Sequence, residues 1–231
     1  MNNISSTILT NEEGKAKYDA VLKTLLSNKQ FLSKILKRFT HEFKDASLSD
    51  IENKYIENND IDVSGKMVGR NLTNIEGINT EDKTLNEGNV FYDIMFKASY
   101  PDYTGKYIGL YINIEIQNSY RRGYPIEKRG MYYAARRFGS QFKSITKETD
   151  YACLEKVYSV WICMGDDLPD MEADTATLYR TDKHDIIGNV NRKRECYDMM
   201  NVIILRINDR VKSEDKVLEL LRVLCSNALG K

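Results

Sequence analysis

No apolar run in this 231-residue chain approaches the ~20 residues of a membrane span; the longest candidates, such as Val202-Ile203-Ile204-Leu205, are strand-sized. The first residues, MNNISSTILTNEEGK, lack the basic start and apolar stretch of a secretory signal, so the cytoplasm is the expected location. Cysteine is scarce and scattered. Cys153, Cys163, Cys196 and Cys225 form no C-x-x-C pair, which argues against a zinc site or disulfide framework and for buried, reduced thiols. His41 and His184 are the only histidines, and no Ser, Cys or Asp arrangement aims a nucleophile at either. Repeats, low-complexity tracts and Pro/Ser-rich linkers are also missing. One domain over residues 1–231 is expected, with 1–13 a flexible N-terminus.

Net charge is absent too, since 34 basic residues balance 34 acidic ones. The distribution is uneven. Between Tyr120 and Lys147 lie eight basic residues (Arg121, Arg122, Lys128, Arg129, Arg136, Arg137, Lys143, Lys147) against the single acid Glu127. Between Glu42 and Asp62 lie seven acids against two lysines. A neutral chain with one basic segment still offers a phosphate backbone a local site, although a charge cluster by itself equally describes a solvated helix face. Hydrophobic residues at 42% and charged residues at 29% suit a soluble globular domain with a core of its own.

Periodicity sets out the elements. Residues 14–45 carry Leu22, Leu25, Leu26, Phe31, Leu32, Ile35, Leu36, Phe39 and Phe43 at helical spacing, predicting two helices broken near Ser27-Asn28. A short acidic helix over 48–58 opens at Ser47 or Ser49, and the Gly- and Asn-rich stretch 59–89 reads as strand fragments and loops. Val90–Ser99 and Tyr107–Asn118 alternate as strands of an antiparallel hairpin, turned by PDYTGK with Thr104-Gly105 at its centre. A helix over Pro125–Lys143 opens on proline; strands follow at Lys156–Met164, Ala176–Tyr179 and Asn201–Ile207, and an amphipathic helix at Ser213–Leu229 closes the chain. The order predicts a mixed α/β (α+β) architecture, a central mixed sheet flanked by helices.

The chemistry concentrates on the hairpin. Strand alternation places Ile112, Ile114 and Ile116 on one face and Asn113, Glu115 and Gln117 on the other. Asp93 sits on the preceding strand among Phe91, Tyr92, Ile94, Met95 and Phe96, where a carboxylate is costly to bury alone. Two carboxylates on paired strands, with no evident arginine between them, suggest a divalent cation as partner. The plain alternative is a half-solvated antiparallel sheet with both acids facing water.

Asp93 followed by NIEIQN resembles the D…(D/E)-x-(K/Q) signature of PD-(D/E)XK nucleases, and the chain is similar to the transposase branch of that superfamily, related to recombination-promoting nucleases. The likeness runs through HEFKD (41–45), INTEDKTLNEGNVFYDIMF (78–96), INIEIQ (112–117), EKRGMYYAARRF (127–138) and VYSVWICM (157–164). The chain stops soon after its last helix, as a shortened family member would. The resemblance implies a restriction-endonuclease-like core, Mg²⁺ as cofactor (Mn²⁺ substituting) and DNA as partner, cut without strong sequence specificity. It implies Asp93 and Glu115 as catalytic metal ligands, Glu42 as a third metal ligand and Gln117 as the third catalytic position. Gln117 stands where lysine is commoner; an amide orients water or holds a phosphate oxygen but brings no charge. The PD dipeptide is missing, since Tyr92 precedes Asp93, and Glu81, Asp82 and Glu87 lie in a matching stretch without an assigned role.

Arg129, Tyr133 and Arg137 fall at i, i+4 and i+8, one helical face able to grip phosphate, and equally the basic outer face of an amphipathic helix. Arg121 and Arg122, just past the strand, are candidate backbone-phosphate contacts. Symmetric cutting of both strands would require a homodimer or a second binding event. Three functions stay open: a Mg²⁺-dependent DNA endonuclease tied to transposition or recombination, a catalytically degenerate nuclease fold that binds nucleic acid or regulates, and a protein-interaction domain. Cutting, salt-dependent binding without cutting, and absence of divalent-metal binding separate them.

Overall fold

The computed structural model describes residues 21–57, 62–63, 81–84, 87–91, 93–101, 107–117, 119–121, 123–142 and 148–228. The N-terminal helix is described from residue 21 to 26 (α1) and stops at Ser27-Asn28, where the Asn28 side chain accepts the Gln30 N–H at 2.9 Å and opens α2 (Lys29–Phe39). Ser47 caps a single turn, α3 (Leu48–Asp50), which runs into a π-helical turn over Ile51–Tyr55. The first long helix after the hairpin is α4 (Ile126–Gly139), and α5 (Lys216–Ala228) closes the fold.

Among the described residues the sheet has six strands in the order β1 (Asp62–Val63), β4 (Ile94–Pro101), β5 (Tyr107–Gln117), β6 (Lys156–Cys163), β8 (Met200–Arg206), β7 (Thr175–Arg180), the first only two residues long. β4–β5 is the expected antiparallel hairpin, although its turn at 102–106 lies outside the described residues. β5–β6 and β6–β8 pair in parallel, and β7 is an antiparallel edge. A separate ladder joins β2 (Glu81–Thr84) to β3 (Glu87–Phe91).

Alternation divides the sheet into two cores. The isoleucines of β5 pack with Leu22, Leu26, Leu36 and Leu221 from α1, α2 and α5 on one face. On the other, Val157, Trp161, Val202 and Ile204 meet Ile126 and Ala134 of α4. Gly130 lets α4 lie close: a Cβ there would stand 2.6 Å from Val202 Cγ1 and 3.1 Å from Trp161 Nε1. This is a mixed α/β domain, its mixed sheet packed between helical layers. Among the described residues no helix is long and apolar enough to cross a membrane.

Three boundaries depart from the sequence expectation. Val90–Ser99 is two strands, β3 and β4, interrupted before Ile94. The Asp93 N–H points to the Glu115 carboxylate rather than into a ladder. Helix α4 stops at Gly139, short of Lys143, because the Gln141 side chain clamps the Glu155 backbone from both sides (Nε2 to O 2.7 Å, Glu155 N to Oε1 2.8 Å) and turns the chain toward β6. Helix α5 starts at Lys216 because the Asp215 carboxylate accepts the N–H groups of Val217 and Leu218.

Candidate active site

The hairpin register, Ile94 opposite Ile114, sets Asp93 beside Glu115 at the end of the sheet where β5 and β6 finish. The Asp93 N–H donates to Glu115 Oε1 at 3.3 Å, and Asp93 Oδ2 accepts the Ile116 N–H at 2.9 Å. Glu115 is only 5% exposed. Burial pushes its carboxyl well above the ordinary range, and the Asp93 charge pushes it further; the Asp93 amide, Arg129 and Asn113 pull the other way. Two carboxylates thus crowd one another, one of them nearly dry.

Asp93 has a partner that sequence reasoning missed. Lys23 Nζ lies 2.9 Å from Asp93 Oδ1, with side-chain exposures of 12% and 21%. Lys23 comes from α1, far away in the chain, and falls inside a helical run whose Leu22 and Leu26 are core. A lysine within an apolar helical stripe was the available signal.

From the opposite layer, α4 brings Arg129 and Tyr133 down on the same end. Arg129 Nη1 donates to Gln117 Oε1 at 3.2 Å and Nη2 to the Tyr133 hydroxyl at 3.0 Å; its guanidinium stacks 5.1 Å from the Tyr133 ring and 5.2 Å from Trp161. Gln117 is buried and its Nε2 donates to Ser119 O at 2.8 Å, so its amide is engaged at both ends. Burial raises the Tyr133 hydroxyl pKa, and the Glu115 and Asp93 charges add to the rise against the pull of Arg129.

Beyond Gln117 the chain is tied down by Asp167, from the loop after β6. Its carboxylate accepts from Ser119 Oγ (2.9 Å), Tyr120 N (2.9 Å) and Arg121 N (2.7 Å). Burial alone would raise the Asp167 carboxyl, but these donors hold it below its ordinary value. Arg121 therefore has a fixed backbone and an exposed side chain at the rim. Arg122 lies outside the described residues. Asp167 could have been suspected only from topology, because β5 and β6 run parallel and end side by side.

Two expected site residues are not brought in. Glu42 follows the end of α2 and binds Lys156 Nζ (2.9 Å) and the Tyr158 hydroxyl (2.6 Å). Tyr158 belongs to the core under α1 and α2, whereas Glu115 faces α4. Lys156 pairs with Leu110, five positions before Glu115, or roughly 16 Å along the strand. Glu42 is thus not brought to the carboxylate pair: its position along the strands separates it from Glu115 and Asp93. Replacing it, Glu42→Gln, is expected to lower the melting temperature while leaving divalent-metal affinity unchanged by calorimetry.

Arg137 faces the sheet as its spacing predicts, but two turns beyond Arg129, about 12 Å along the axis. There its guanidinium lies 4.0 Å from the Tyr111 ring and it is buried. It is a packing residue of α4, not part of the site. Arg137→Met is accordingly expected to keep most of the melting temperature in thermal denaturation and Arg137→Ala to lose it, since what the buried side chain supplies there is packing on Tyr111.

Among the described residues no group of three or more His, Cys, Asp or Glu side chains is placed to hold a metal ion. The donor set nonetheless fits one kind of cation. Mg²⁺ keeps most of its waters and takes one or two carboxylates, with substrate phosphate completing the shell. Asp93 and Glu115 supply that pair, and a buried carboxyl forced upward by a neighbouring charge is the type that a divalent ion relieves. No protein-family model matches the chain, and no curated protein or solved structure matches it significantly.

Proposed function

We propose that the chain is a metal-dependent DNA endonuclease with a restriction-endonuclease-like core of the PD-(D/E)XK type, acting in transposition or recombination. One observation carries the reading: the cross-strand pairing of Asp93 with a dry, charge-repelled Glu115 at the end of parallel strands, beneath a basic helix. Asp93 and Glu115 would hold Mg²⁺ or Mn²⁺, and a bound ion there would lower the pKa of a water and offset charge on the phosphate. The chain's own residues do the rest. Arg129, braced by Gln117 and Tyr133, presents its fork to a non-bridging phosphate oxygen. Arg121 extends from its Asp167-fixed backbone to a neighbouring phosphate, which binds without reading bases. In the reaction the water oxygen forms a bond to phosphorus and the bond from phosphorus to the departing sugar oxygen breaks. The water loses a proton to solvent, and the departing oxygen gains one from solvent.

A second reading, a degenerate module that binds nucleic acid without cutting it, is favoured by Gln117. Its amide is spent on Arg129 and Ser119, leaving no charge at the third signature position. Supercoiled plasmid incubated with the protein in Mg²⁺ and in Mn²⁺ separates the two. Nicking abolished by EDTA supports the nuclease; salt-dependent binding without nicking supports the module; absence of any DNA binding sinks both.

A further inference from the structure

Resting on the nuclease reading, we infer that Lys23 is the charged catalytic residue of this site: its ammonium, delivered by α1 to the Asp93 side of the carboxylate pair, holds the attacking water in place of the signature lysine that Gln117 replaces. Three features of the structure converge on this assignment. Gln117 is neutral and committed at both ends of its amide, so it is not available to polarise anything. Among the described residues Lys23 is the cation in contact with Asp93, at 2.9 Å, and its side chain is only 12% exposed, so its charge acts in a poorly screened setting. Arg129 stands on the other layer, joined to Gln117 and Tyr133. The carboxylate pair is thus flanked by a cation from each helical layer, Lys23 from α1 and Arg129 from α4. An in-line displacement needs the incoming oxygen held in line with the bond that breaks and the charge on the equatorial phosphate oxygens offset, two tasks that two cations can divide. The two cations differ in kind. A flexible ammonium with three donors suits a small mobile water, and a planar fork suits phosphate.

The alternative is that Lys23 merely neutralises and positions Asp93. The two roles diverge in metal binding. A resident ammonium on Asp93 competes with a divalent ion, so Lys23→Gln is expected to bind Mn²⁺ as tightly as wild type or more so by calorimetry. Its nicking rate should fall by ~10²-fold or more, the worth of one oriented donor in an excluded site. Lys23→Arg keeps the charge and is expected to recover part of the rate. Undiminished nicking by Lys23→Gln overturns the inference with the nuclease reading intact, and so does a rate loss matched by lost Mn²⁺ affinity, which would assign Lys23 a purely structural role. Should Lys23→Gln fail to fold, Lys23→Arg decides: a lower rate at unchanged Mn²⁺ affinity supports the assignment, and an unchanged rate, at a geometry an ammonium no longer fits, counts against it. A wild-type protein that never nicks overturns both this inference and the reading beneath it.

Discussion

Glu115→Gln is expected to lose plasmid nicking by ~10³-fold or more, the scale of removing several kcal/mol of charge stabilisation, and at the same time to melt at a higher temperature than wild type. The two effects have one origin. Glu115 is buried beside Asp93 and its carboxyl is pushed well above the ordinary value of 4.5, by desolvation first and the Asp93 charge second. A group whose folded pKa is raised holds its proton longer in the folded protein than in the unfolded chain. Stability therefore falls as pH climbs from the ordinary carboxyl value through the raised folded one. Wild type should lose melting temperature across that window, and Glu115→Gln should not. A gain of about 1–3 kcal/mol is expected at neutral pH, the usual cost of a buried polar group left unmatched. Calorimetric melts of both proteins from acid to neutral pH read the result directly. Parallel curves for the two, or a lower melt for the variant at neutral pH, would remove Glu115 as a strained carboxylate and with it the main support for a metal site.

The largest stability loss is expected away from the site, at Lys156→Met. Lys156 Nζ lies between Glu42 Oε1 (2.9 Å) and Asp198 Oδ2 (3.3 Å), with side-chain exposures of 12%, 16% and 3%. With its amide turned to suit both neighbours, Asn201 donates to Asp198 at 3.0 Å and accepts from Lys156 at 2.8 Å. Removing the ammonium leaves two half-dry carboxylates facing each other, which costs about 3–5 kcal/mol where one partner of a buried pair is deleted. Combining Lys156→Met with Glu42→Gln should restore part of the loss, because one of the two opposed charges is then gone. Urea denaturation of the three variants measures this; a Lys156→Met protein within about 1 kcal/mol of wild type would show the cluster to be solvated, as exposed ion pairs are.

How much of this was legible beforehand follows from the range over which each signal acts. The alternation LYINIEIQ fixes the two faces of β5 by local geometry alone, so the isoleucine core and the Asn113-Glu115-Gln117 row needed no tertiary information. The helix break at Asn28, the apolar strands β6 and β8 and the pairing of β4 with β5 are likewise local or nearly so. Even the face shared by Arg129, Tyr133 and Arg137 was correct as a face. Three matters were decided only by the folded chain. Where each arginine meets the sheet depends on how α4 docks, with Gly130 against Val202 and Trp161, Arg129 beside Gln117 and Arg137 over Tyr111. Glu42 is acidic and suitably placed in the chain, yet the layer it joins and the end of β6 it meets make it the partner of Lys156. Lys23 reaches Asp93 only in the folded chain, where Leu22 and Leu26 on either side of it join the core. Side-chain charges attract whatever the packed backbone carries within reach, and no periodicity in the sequence encodes which distant residue that will be.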